Sequence, residues 1–132
     1  MIDVISKMFV YLYLENYNQV CISEENIEKY FKVFYKILIA NIDNIELISI
    51  FNIENSDQDE KIILKKLLIN IIETKKLGYI ENDIANIIIK KDNINKILSK
   101  KTIINEDKIK QIVIEFINEC NNINLEKIKI KK

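Results

Sequence analysis

This sequence predicts an all-α fold, a compact bundle of five to seven helices, on three observations. Proline is absent and glycine occurs once in 132 residues, too few turn formers for an all-β fold. Three long segments repeat apolar residues at three- and four-residue intervals, the spacing of one helix face. Apolar residues make up 48% and charged residues 30%, enough for a real core under a solvated surface. Residues 1–132 read as one domain in two halves: an acidic, aromatic half over 1–55 and a basic half over 57–132.

The first helix is expected over residues 3–15, with Ile5, Met8, Phe9 and Leu12 at helical spacing and Tyr11 and Tyr13 on the flanks. Residues 16–19 are turn-like. Ser23 then caps a second helix reaching about Ala40, with Glu24 and Glu25 favourably placed in its first turn. Ile27, Tyr30, Phe31, Phe34 and Leu38 form its aromatic stripe. Residues 45–51 read as a short buried helix, although a strand has the same pattern. The polar stretch 52–60 is the expected linker between the halves.

Another helix is expected from about Asp57, with Ile63, Leu64, Leu67, Leu68, Ile71 and Ile72 on one broad apolar face. Lys75 and Lys76 sit in its last turn, and the single glycine, Gly78, stands where a left-handed stop residue belongs. Residues 79–101 then read as two short helices joined tightly. Asn82 caps the first, which holds Ile84, Ala85 and Ile88. A turn near 89–91 follows, and Asp92 starts the second, with Ile94, Ile97 and Leu98 inward. Asn105, Glu106 and Asp107 open a last helix whose Ile109, Ile112, Val113, Phe116, Ile117 and Cys120 trace one face. The basic tail, 123–132, reads as a frayed end or a short edge strand.

Composition excludes much chemistry. With no histidine, neither a Ser-His-Asp triad, a Cys-His nucleophile nor a His-containing zinc site can be built within the chain. Cys21 and Cys120 stand far apart without a CxxC motif, and read as small buried hydrophobes of a reducing bacterial or host-cell cytosol. No catalytic residue, metal ligand or cofactor is indicated. Carboxylates are plentiful but form no motif. The apolar run 8–14 is too short to span a bilayer, and Asp3 near the start argues against a signal peptide. All 20 basic residues are lysine, and Ile and Asn are in excess, as in an AT-rich genome of a bacterium, phage, mobile element or large virus. Residues 1–56 hold 4 lysines against 8 carboxylates, and residues 57–132 hold 16 against 12, so a net of −4 is followed by +4. That asymmetry points to an anionic partner for the C-terminal half.

Residues 64–116 resemble the lambda-repressor-like helix-turn-helix family. A helix precedes the pair, Ala85 stands where the two helices cross, Ile94 and Ile97 pack the second, and a further helix follows. In place of the usual turn glycine stands an isoleucine. The resemblance implies a small, dimeric DNA-binding regulator whose second helix enters the major groove. Lys90, Lys91, Lys100 and Lys101 would then hold phosphates, Asn93 and Asn95 would meet base edges, and Lys96 would reach guanine. Without arginine, specificity would lean on A·T content and shape. The N-terminal half would carry a homodimer or protein contact. The rival expectation is a helical protein-interaction module, an inhibitor or decoy, with Tyr30, Phe34 and Tyr35 as anchors.

Overall fold

The first helix of the chain is also its innermost. In the computed structural model, α1 (Ile2–Glu15) buries every residue from Val4 to Val10, because α3, α4, α5 and strand β2 pack around it. A helix enclosed in this way needs apolar residues on all sides, and α1 has them except at Ser6 and Lys7. Ser6 returns its hydroxyl proton to the Ile2 carbonyl, 2.7 Å away. The structure describes residues 2–15, 22–41, 60–83 and 86–130. Its other elements are α2 (Ile27–Ala40), α3 (Glu60–Lys76), β1 (Ile80–Asp83), β2 (Asn86–Ile89), a 3-10 turn (Lys91–Asn93), α4 (Ile94–Leu98) and α5 (Glu106–Ile130). The fold is thus predominantly helical, with five α-helices and one small sheet among the described residues.

Local chemistry explains most boundaries. Contrary to expectation, Ser23 does not cap α2: the helix starts at Ile27 without a side-chain cap, and Glu28 is the acidic residue of its first turn. Ser23, Glu24, Glu25 and Asn26 form the turn ahead of it, closed by a reciprocal pair of hydrogen bonds. The Asn26 backbone N–H donates to Ser23 Oγ at 3.4 Å, and the Ser23 N–H donates to Asn26 Oδ1 at 2.7 Å. Asn41 ends α2 and ties it to α5: its Nδ2 donates to the Ile37 carbonyl at 2.8 Å, and its Oδ1 accepts from Lys108 Nζ at 2.8 Å. Helix α3 stops as expected. Gly78 has φ 78°, its N–H donates to the Lys75 carbonyl, and the Tyr79 N–H reaches back to that of Thr74. This is a Schellman stop, which an L-residue at Gly78 could adopt only with strain. Asn105 caps α5, its Oδ1 accepting from the Lys108 N–H at 2.8 Å.

The core is one cluster spanning all helices and the sheet. Phe31, Leu67, Ile71, Ile112 and Phe116 are buried in it, and Phe34 is half-buried against it. Cys120 is buried, and desolvation pushes its thiol up to about 12. In a Cys21→Ser protein, Cys120 should therefore react with an aromatic disulfide reagent at pH 8 only as fast as the fold opens. Immediate labelling in native buffer would contradict that burial. Beyond residue 120, α5 continues as helix to Ile130, not as the edge strand that was one expectation for the tail. Expectations for residues 16–19, 42–51 and 52–59, and for Cys21, Ile84 and Ala85, lie outside the described residues.

Candidate interaction surfaces

The segment expected to form the first helix of a helix-turn-helix is a β-hairpin. β1 and β2 pair antiparallel in the register Ile80 with Ile89, Glu81 with Ile88, Asn82 with Ile87 and Asp83 with Asn86. The reason lies in residues 87–89, three isoleucines in a row. A β-branched run is stiff at χ1 and fits a pleated surface better than a helix. Ile87 and Ile89 point into the core with Ile88 between them half-buried, a period of two rather than 3.6. The preceding turn at Ser23 extends the hairpin by one bridge to Asn86, and the Ile87 N–H donates to the Ile22 carbonyl at 2.7 Å. Asn82 is a strand residue here, not a helix cap. Asp92 lies in the 3-10 turn and likewise caps nothing.

The proposed DNA-contacting residues are accordingly dispersed into other roles. Asn93 is half-buried and donates its side-chain N–H to the Gly78 carbonyl at 2.9 Å, locking α4 onto the end of α3. It therefore stands as a positioning residue rather than a base reader. Lys90 faces Glu81 at 3.8 Å across the hairpin. Lys91 lies over the Tyr13 ring at 5.2 Å and Lys96 over the Tyr79 ring at 5.8 Å. Asn95, Lys100 and Lys101 are exposed, the first on the outer side of α4 with Lys96. Ile97 is buried and Ile94 half-buried, as expected of the inner side. Among the described residues, what precedes the five-residue α4 is a hairpin and a 3-10 turn, so the pair of α-helices expected over 82–101 is not formed there.

The aromatic stripe of α2 is core, not surface. Tyr30 is buried, and its ring meets Phe116 edge-to-face at 6.1 Å; Phe34 meets Phe116 likewise at 6.3 Å. Tyr35 is half-buried against the same cluster. Tyr30 and Phe34 line a cavity of about 70 Å³ between α1, α2, α3 and α5, bounded by apolar side chains. Among the described residues, its lining exposes almost no polar atom to orient a ligand.

Two features were missed in the sequence. One is a cluster of ionisable groups between α1 and α5. Lys7 is 2% exposed, and its Nζ donates to Glu106 Oε1 at 2.9 Å; Tyr11 Oη donates to Glu106 Oε2 at 2.8 Å. Those two hydrogen bonds, Lys7's first, hold the Glu106 carboxyl below its ordinary range. Desolvation and the Glu106 hydrogen bond push Tyr11 up to about 12. The arrangement fixes protons firmly in place rather than poising one for transfer, so it acts as a clamp. Only tertiary structure places Lys7 inside; its position on α1 carries no local signal of burial.

The other feature is the outer face of α3. Ile63, Leu67 and Ile71 turn inward, while Ile62 is 52% exposed, Ile69 51%, Ile72 52% and, just past the helix, Leu77 55%. At 100° per residue these isoleucines stand opposite the core, so α3 is apolar on two sides. The expected single broad face, with Ile72 in it, is in fact two. Heptad-like spacing of Ile62, Ile69 and Ile72 was the available signal. No helix of the described residues is long and apolar enough to cross a membrane.

No family model, curated protein or solved structure matches this chain.

Proposed function

We propose that this protein is a non-enzymatic helical interaction module that docks another protein on the outer face of α3. The observation that carries the reading is the half-exposure of Ile62, Ile69 and Ile72 on the side of α3 facing away from the core. Isolated exposed aliphatics need no explanation, but three along one side of one helix support reading that side as a contact surface. The helix presenting them is rigidly held. Thr74 and Ile71 are buried beneath it, and Lys75 reaches Glu24 at 2.7 Å on the turn before α2. A preorganised face of this kind lowers the ordering cost of binding. The interaction role thus moves from Tyr30, Phe34 and Tyr35, which pack the interior, to α3.

A photo-crosslinking residue at position 69, with the exposed position of Lys32 on α2 as control, tests this in cells that make the protein. A discrete adduct is expected from position 69 and none from position 32. Equal or absent crosslinking at the two positions would end the reading.

A further inference from the structure

We infer that the occupant of the α3 outer face is an acidic amphipathic helix, laid along the stripe with its own aliphatic side chains against Ile62, Ile69 and Ile72. The inference rests on the docking reading above and adds the chemistry of the partner. Ile62, Lys65, Ile69, Ile72 and Lys76 succeed one another at intervals of 3, 4, 3 and 4 residues. That alternation makes a seam one side chain wide, the shape a second helix fills.

The charges along the seam choose the partner's sign. Among the described residues of α3, Lys61, Lys65 and Lys76 are exposed on or beside it and Lys66 is half-exposed; of the helix's two carboxylates only Glu73 is exposed, Glu60 at its start being half-buried. Glu73 already faces Lys76 within the helix at 3.6 Å. Glutamates or aspartates flanking the partner's aliphatic row would meet these ammonium groups, as charged flanking positions do in paired helices. A second copy of this chain fits poorly, since it would set the same lysines against themselves. A membrane fits poorly too. Lys65 and Lys76 stand in line with Ile69, in the middle of the face that would have to enter the acyl region.

The test uses the full chain and two synthetic helical peptides of equal length. Both carry Ile and Leu at the seam positions; one is flanked by Glu and the other by Lys. By fluorescence anisotropy the Glu-flanked peptide should bind at least about tenfold more tightly, weakening as salt rises. Ile69→Asp should abolish that binding, and the milder Ile69→Gln should reduce it, both with unchanged thermal melts because residue 69 faces away from the core. Charge reversal by Lys65→Glu with Lys76→Glu should invert the preference between the peptides.

Equal binding of both peptides would overturn the acidic partner while leaving docking on α3 in place. Binding of neither would also overturn it, and the crosslinking result at position 69 then decides separately whether α3 docks anything. Two further outcomes overturn it by naming another occupant. One is sedimentation as a dimer that Ile69→Asp dissolves. The other is uptake onto phosphatidylcholine–phosphatidylserine vesicles that Ile69→Asp releases.

Discussion

Phe116→Ala should cost about 3–5 kcal/mol of folding stability, the range for removing a buried aromatic ring. Phe116 is buried on α5 and is the ring that both Tyr30 and Phe34 meet edge-to-face, so truncation breaks two aromatic contacts at once. Its ring also lines the half-open apolar pocket of about 70 Å³, and an alanine there widens that pocket. Collapse of the helices into that space is opposed by polar ties along α5. Lys7 holds Glu106 in its first turn, and Asn41 holds both Lys108 and Glu115. Urea unfolding with an unchanged m-value is the measurement. A loss below about 1 kcal/mol would place the ring outside the load of the core.

The second large effect is asymmetric. Glu106→Ala should cost about 3 kcal/mol, because it leaves the buried Lys7 ammonium without its counter-charge. That is the low end for a broken buried pair, since Glu106 is 46% exposed and water can enter the vacated place. Lys7→Met should instead be neutral or stabilising, as a flexible apolar chain of similar length fills the site with no charge to desolvate. Acid distinguishes the two proteins as well. The folded-state pKa of Glu106 is held below the ordinary 4.5, so the pair contributes fully above that value and its contribution disappears as pH falls through the folded pKa. Between pH 7 and pH 3 the wild type should therefore lose more stability than Lys7→Met. Parallel losses would show that the pair is not the acid-sensitive element.

The helical character of the chain was legible because it is written several times over. At the end of α3, lysines in the last turn, a lone glycine and the loss of apolar spacing agree, and Gly78 takes the left-handed conformation they require. The inner face of α5, from Ile109 to Cys120, follows periodicity for the same reason. The hairpin is masked by composition. In a chain with isoleucine in excess throughout, Ile87, Ile88 and Ile89 do not stand out as a β-branched run. Nor does the connection after Asp83 hold the Asn-Gly or Asp-Gly pair that advertises a tight hairpin. Lys7 and the outer isoleucines of α3 failed for a different reason. Periodicity describes one helix against an unspecified interior, whereas α1 is enclosed from Val4 to Val10 and α3 is apolar on two sides, and neither condition is local.

That enclosure of α1 also decides how the fold is closed. Lys7 and Glu106 are 99 positions apart in the chain, and α5 forms one wall of the space α1 fills. Until α5 is in place, Val4, Ile5, Met8 and Phe9 have no finished surroundings to enter. Closing so long a loop delays the reward for ordering the segments between, so the docking of α1 against α5 is expected late in folding. Before that step α1 is an uncovered apolar helix, the kind of surface that makes a partly folded chain prone to aggregate.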